Sequence, residues 1–597
     1  MRKPVFAILL TLALVFMVGA QAPQRKAEDV EKNLVLVDKP QAAPEEMRIG
    51  LETITEDSAL GMLSFLSSDL LEGRDTATRG YMLAAEYVAS LFKVWGIEPA
   101  GDTPAPSFRF MRSGPPPAPP KRTYFQEIVF RETSNAAGSL TLNVRKGAQE
   151  KSNTYVSGID FSMTTSAAEI LTAPVVFAGY GIREDAAKWD DFKNLDVKGK
   201  IVLILTEAPG RDDPESPFQK NKELKDKYFP QAPAMRMMRR GGGGGGKTAD
   251  IRKLGAAAIL QVQNTGTDDA IFKGLASTRS PSDERPINTS PRRRLSIPGL
   301  GGMMSGGGAP IITISREIAN AILENSGKTI DELKKSIETS RKPASMELSG
   351  TKLTIESTAT VKLVKCLNVL GMIEGSDPEL KKEVVVIGGH MDHLGQFDNY
   401  IYNGADDNGS GSVGVMTAAR AFAANPVKPK RSVLFALWTG EEKGLYGSRY
   451  YVEHPVFPMD KTAMYFNMDM ISRAYDESTF TRMSRMFQFP GGEDLLKKIN
   501  LADFLTVSFT TGMDDLVREA NQYVGLHVFL RESEPGQASG GSDHAAFAPK
   551  DVPFVYSMAA MTSDYHQTGD SVDKVAGELF AKACRLTYLV SFAAANK

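Results

Sequence analysis

Cysteine is almost absent from this chain: Cys366 and Cys584 are the only two among 597 residues. A disulfide-built framework is excluded, and what remains is either one bridge, which an exported chain would permit, or two separate buried thiols. Charge of one sign is missing too. Lysine and arginine number 70 against 72 aspartate and glutamate, a net charge of -2, which leaves no electrostatic footprint for nucleic acid. Beyond the N-terminus no run is long and apolar enough to span a bilayer. Histidine is missing from the first 389 residues, and all six lie between His390 and His566.

The N-terminus has the order of a secretory signal. Arg2 and Lys3 precede an apolar run, Val5 to Val18, and Ala20-Gln21-Ala22 offers a small-x-small cleavage site. The run is shorter than the ~18–20 residues of a membrane span, and no cysteine near the cleavage site could take a lipid. The expectation is an exported, periplasmic or extracellular protein with no stable membrane insertion after cleavage. The mature length of roughly 575 residues exceeds one core and predicts two or more domains.

Residues 23–50 are polar, carry Pro40 and Pro44, and read as a linker. From Ser58 to Trp95 apolar residues recur at helical spacing around a loop, Leu71-Glu72-Gly73-Arg74-Asp75, which predicts two helices. Between about 130 and 350 the chain becomes β-rich, with strand-like runs at 174–180, 200–205 and 257–262 and a helix from about Thr248. From Leu367 onward, short apolar runs at 368–373, 383–387, 432–438, 464–468 and 553–558 alternate with helices at 409–424 and 572–593. That alternation predicts an α/β fold with a mixed, mostly parallel sheet and helices on both faces, whose ligands bind beyond the carboxyl ends of the strands.

One motif misleads. Gly241 to Thr248 spells G-G-G-G-G-G-K-T and satisfies the phosphate-loop pattern letter by letter. The loop works only between a buried strand and a helix, whereas Met235-Arg236-Met237-Met238-Arg239-Arg240 has no strand character. The glycine run reads as a surface loop.

The histidines keep unusual company. G-G-H-M-D-H (388–393), G-A-D-D-N-G-S-G (404–411), T-G-E-E-K-G-L (439–445), F-N-M-D-M (466–470) and D-Y-H-Q-T-G-D (564–570) each follow a strand-like run or lie in the loop after it. Separated histidines and aspartates with a Glu-Glu pair are the nitrogen and oxygen donors that two adjacent zinc ions take. In this order the motifs resemble the co-catalytic zinc aminopeptidases, the family of the secreted bacterial leucyl aminopeptidases. Tyr180-Gly181-Ile182, Trp189-Asp190-Asp191-Phe192, Val197 to Val202 and Lys253 to Ala258 resemble the protease-associated domain that many members carry as an insertion.

The resemblance implies a signal peptide (1–22), a linker (23–50), an N-terminal part of the peptidase domain (51–130), a β-rich α+β inserted domain (131–350) and the zinc peptidase domain (351–597). It implies two Zn2+ ions, with His390 and Asp469 on one, Glu442 and His566 on the other, and Asp407 bridging. Asp406 competes with Asp407 for the bridge. Glu441 would be the general base toward an activated water, and Tyr565 would hydrogen-bond the developing oxyanion. Asp392 would orient His390 by accepting its second N–H. His393 reads equally as a support for the ligands or as a satisfied polar residue. Ser542 or Asp543 reads as a helix N-cap, with His544 approaching substrate as the rarer alternative, while His454 and His527 read as structural. The cysteines are not expected on the metal.

The expected function is removal of N-terminal residues from peptides. A carboxypeptidase or dipeptidase of the same fold is the alternative, with Arg449, Arg473 and Arg531 as candidate readers of a C-terminal carboxylate. A glutaminyl cyclase and a binding protein that has lost its chemistry stand further back, because the complete donor set argues against both.

Overall fold

A computed structural model describes residues 32–104, 121–157, 160–163, 169–229, 247–262, 279–280, 283–286, 293–298, 300, 309–397, 399–486, 492–538 and 541–597. The expected signal peptide and the six-glycine run lie outside the described residues. Among those described, no helix is long and apolar enough to cross a membrane.

The first strand, β1 (Leu34–Leu36), lies inside the stretch read as a linker, and helix α1 (Glu45–Glu52) closes that stretch. The polar residues and prolines concealed a short apolar run whose Val35 and Val37 are buried, so part of the supposed linker is edge strand. Helix α2 (Glu56–Leu66) starts at a capping box, in which Thr55 Oγ1 accepts from Ser58 N and Ser58 Oγ from Thr55 N. Helix α3 (Arg79–Val94) starts at Thr78, whose side chain accepts from Tyr81 N.

Two long strands, β2 (Phe125–Lys146) and β7 (Ser345–Ile373), carry the chain out to the middle region and back. They pair antiparallel from Phe125↔Val369 to Val144↔Thr351. The boundaries expected at 130/131 and 350/351 therefore fall inside hydrogen-bonded strands. Between them, β3 (Glu169–Ala178), β4 (Ile201–Leu205), β5 (Ala258–Val262) and β6 (Ile311–Ile314) pair parallel in that order. Their side chains alternate between two apolar clusters: Val175, Phe177, Ile201 and Leu203 enter one, Val176, Ala178, Val202 and Ile204 the other.

The larger sheet follows β8 (Val384–His390), β9 (Ser432–Trp438), β10 (Thr462–Met468), β11 (Phe504–Thr510), β12 (His527–Ser533) and β13 (Phe554–Met558). The order across it is β7–β9–β8–β10–β13–β11–β12–β1, with β9, β8, β10 and β13 mutually parallel. Alternation again gives two faces. Val385, Ile387, Val433 and Phe435 pack toward α3, α4 (Gly411–Ala424) and α6 (Gly577–Asn596). Val384, Val386, Leu434 and Trp438 face the opposite way, toward Tyr451 and Val452 of α5 (Tyr446–Glu453). The sheet is mixed, mostly parallel and covered on both faces, as expected.

Candidate metal centre

The parallel strands end together, and the polar residues of the motifs stand at those ends. His390 is the last residue of β8, Glu441 and Glu442 follow β9, Asp469 follows β10, and His566 lies in the loop after β13. Asp407 sits in the turn Ala405–Ser410 before α4. Gly404 enters that turn at φ +57, and a β-carbon there would run into the Asp407 carbonyl, so the turn needs glycine. Asp570 fixes the turn from the other side: its carboxylate accepts from Asp406 N at 3.0 and 3.1 Å and from Asp407 N at 3.0 Å. Arg473 holds Asp570 in turn at 2.9 Å.

Asp407 lies between the two imidazoles. Its Oδ1 is 3.5 Å from His390 Nε2, and its Oδ2 is 3.1 Å from His566 Nε2. Asp469 Oδ1 is also 3.5 Å from His390 Nε2, and Glu442 Oε2 is 3.3 Å from His566 Nε2. His390, Asp407 and Asp469 form one group whose donor atoms could share a cation; His393, Asp407 and Glu442 form a second. His393 Nδ1 approaches Glu442 Oε1 at 3.0 Å. Glu441 Oε2 is 3.8 Å from His390 Nε2 and belongs to neither group.

These residues fit metal ions. Asp407 Oδ2, Glu442 Oε1, Asp469 Oδ1 and both ring nitrogens of His393 are buried without hydrogen-bond geometry to any partner, a costly arrangement unless a cation is shared among them. The proton affinities say the same. Burial pushes the His390 imidazolium down, yet Glu441 and Asp469 hold it well above the ordinary histidine range. Burial opposes charge on His566 as well, but Glu442 and Asp407 raise it to about 11. Burial raises Glu441 well above the usual carboxylate range, against His390 and with Glu442 and Asp469. The cluster of carboxylates creates a demand for positive charge here.

Several expectations change in detail. Asp406 does not face the histidines; its Oδ1 accepts from Ser472 N at 2.9 Å and Ser472 Oγ at 2.7 Å. Asp392 meets His390 Nδ1 through its backbone carbonyl, at 3.0 Å, while its carboxylate is 3.9 Å away. That carboxylate instead accepts from Glu441 N at 3.1 Å and from Thr76 Oγ1 at 2.9 Å. Neither Ser542 nor Asp543 caps the following helix as expected: Asp543 occupies the N-cap without a side-chain cap bond, and Ser542 Oγ accepts from Asn467 Nδ2 at 2.8 Å. His544 is fully buried and stacked on Tyr556, which removes it from substrate. His527 bonds Asn500 N and Asp38, and His454 stacks on Tyr450. Tyr565 stacks on His566 with ring centroids 3.8 Å apart. Cys366 and Cys584 are both free and buried. Thr76, Arg473 and Asp570 contact the cluster from outside it, and composition or spacing gave no signal for this beyond the aspartate closing D-Y-H-Q-T-G-D.

Comparison with known proteins agrees with this geometry. The model of Peptidase family M28 matches residues 368–590. Leucine aminopeptidase 2 of Trichophyton equinum is 35% identical over 234 residues, covering 38% of this chain and 44% of that protein. A glutamate carboxypeptidase 2 homolog of Caenorhabditis briggsae is 34% identical over 129 residues, covering 21% of this chain and 16% of that protein. The chain thus spans less than half the length of these curated relatives. The solved aminopeptidase from Aneurinibacillus sp. strain AM-1 shares the fold, with a TM-score of 0.50 at 17% identity over 93% of this chain and 96% of that one. The strand-end histidines and carboxylates lie inside the segment, residues 368–590, that is similar to Peptidase family M28.

Proposed function

We propose that this chain is an exported zinc aminopeptidase that removes N-terminal residues from peptides at the strand-end cluster. The observation that carries the reading is Asp407, whose two oxygens face two separate imidazole–carboxylate pairs, the arrangement a bridging ligand requires. His390 and Asp469 would hold one Zn2+, Glu442 and His566 the other. When bound, the ions supply Lewis-acid polarisation of the scissile carbonyl and acidify a water.

The remaining chemistry belongs to side chains. Glu441 stands beside the donors without joining either group, its backbone held by Asp392. Burial and the neighbouring carboxylates raise its proton affinity, so it can take a proton from the attacking water and return it to the leaving amine. Tyr565 keeps its phenolic proton, since burial and the carboxylates Asp407 and Glu442 push its ionisation up, and so it can donate to the developing oxyanion. A free substrate amine would be received by the surplus of carboxylates in the cluster. The middle region, which resembles a protease-associated domain, would limit access to short peptides.

The carboxypeptidase reading is favoured by the similarity to the Caenorhabditis briggsae relative. It loses one of its readers here, because Arg473 is buried and paired with Asp570. The test is hydrolysis of aminoacyl-anilides and their N-acetylated counterparts by metal-loaded protein, with zinc content measured alongside. Cleavage restricted to free-amine substrates at about two zincs per chain is expected. Cleavage of N-blocked peptides from the carboxyl end would replace the aminopeptidase reading.

A further inference from the structure

The loop before α3 reads in sequence only as a connection between helices, but its residues reach the loops that bear the metal donors. Arg74 is completely buried although it carries a permanent charge. Its guanidinium donates to Met391 O at 2.9 Å, Asn403 O at 2.7 Å and Gly404 O at 2.9 Å, and also to Leu66 O. Met391 follows the ligand His390, and Gly404 opens the turn that presents Asp407. One planar group therefore ties the end of β8 to the turn before α4, two segments whose separation sets the distance from His390 to Asp407. The fork geometry matters: a lysine ammonium cannot reach carbonyls on opposite sides at once.

Two residues on, Thr76 Oγ1 donates to Asp392 Oδ2 at 2.9 Å. The other oxygen of that carboxylate accepts from Glu441 N, and the Asp392 carbonyl meets His390 Nδ1. Thr76 thus fixes the rotation of the side chain that holds the general base. Between them, Asp75 pairs with Lys443 Nζ at 2.9 Å, the residue after Glu442. The segment is held in an uncommon conformation to do this, with φ of +50 at Glu72, +49 at Arg74 and +57 at Ala77, all in the left-handed region. From the far side, Arg293 donates to Thr76 O and pairs with Glu132 at 3.4 Å.

We propose that Arg74 and Thr76 are positioning residues: Arg74 sets the spacing of the two donor-bearing loops, and Thr76 sets Glu441 through Asp392. The proposal rests on the metallopeptidase reading for its rate effects, and on geometry alone for its effects on metal binding. The full chain would be prepared as wild type, Thr76→Val, Thr76→Ser and Arg74→Lys. Each would be measured for kcat and KM on an aminoacyl-anilide, for zinc affinity by chelator competition, and for the visible spectrum of the Co2+-substituted form.

Thr76→Val should lower kcat about tenfold or more with KM nearly unchanged, as removal of a partner behind a ligand does, and Thr76→Ser should restore most of it. Arg74→Lys should weaken zinc retention by about tenfold to a hundredfold and shift the cobalt spectrum. Wild-type kcat in Thr76→Val, or equal loss in Thr76→Ser, would overturn the role of Thr76. Unchanged zinc affinity and cobalt spectrum in Arg74→Lys would overturn the role of Arg74. Should Arg74→Lys fail to fold, the threonine pair still decides the base-positioning half. If wild type loaded with metal cleaves no anilide, the aminopeptidase reading fails, and the zinc and cobalt series still tests the positioning.

Discussion

Replacing Glu441 by glutamine separates catalysis from metal binding more cleanly than any other change at this site. Glutamine matches glutamate in size, leaves the backbone bond from residue 441 to Asp392 in place, and removes only the ability to accept a proton. Glu441 is outside both donor groups, so zinc stoichiometry should be unchanged. The whole effect should then fall on the proton transfer. A positioned general base contributes about 10²–10⁴-fold. At 1.36 kcal/mol per factor of ten this is about 3–5 kcal/mol of transition-state stabilisation. The assay is steady-state hydrolysis of an aminoacyl-anilide by protein with measured zinc content. A kcat within tenfold of wild type at full zinc loading would refute the assignment of Glu441 as base. Loss of zinc would show instead that Glu441 is a ligand and that the donor groups are drawn wrongly.

Other outcomes follow from the same geometry. Asp407→Asn should release zinc far more easily than wild type, by more than the roughly hundredfold lost on removing a partner behind a ligand, as chelator competition would show. Asp406→Asn should keep its metal, since Asp406 is occupied by Ser472; equal zinc loss in the two variants would return Asp406 to the bridge. In the middle region, burial raises the Asp191 carboxyl from 3.8 to about 6, against a hydrogen bond from Ile182 N. A folded-state value above the unfolded one adds stability that is full below about pH 3.8 and lost as pH rises through about 6. The difference corresponds to about 3 kcal/mol, so Asp191→Asn should flatten the pH dependence of thermal stability between pH 4 and 6. An unaltered slope in the variant would place that dependence elsewhere.

The strand ends were legible in sequence because buried parallel strands are short apolar runs and the donor residues follow them directly: His390 closes β8 and Asp469 is the first residue past β10. Local signals also sufficed for the helices after Thr55 and Thr78. Among the strands that went unread are β11 and β12, although their residues are mostly buried; β11 is apolar at alternate positions with Thr506 and Ser508 between, and β12 carries charge toward its end at Arg531 and Glu532. The boundaries expected at 130/131 and 350/351 fall inside paired strands for a related reason. Composition marks a linker where the chain turns polar, whereas this chain passes between its two cores along the paired strands β2 and β7.

Residue type and order by themselves singled out the candidate metal donors and the candidate base, because nitrogen and oxygen donors are chemically distinct and family order is linear. The resemblance favoured Asp407, but residue type alone left two adjacent aspartates open, since which one faces the histidines depends on the rotation of the turn, which Asp570 and Arg473 impose from more than 60 residues away. Nor could it assign Arg74, whose partners Met391, Asn403 and Gly404 become its neighbours only when the chain closes on itself. Chemistry is carried by the identity of a residue; position is conferred by contacts between residues distant in the chain, and those exist only in the folded molecule.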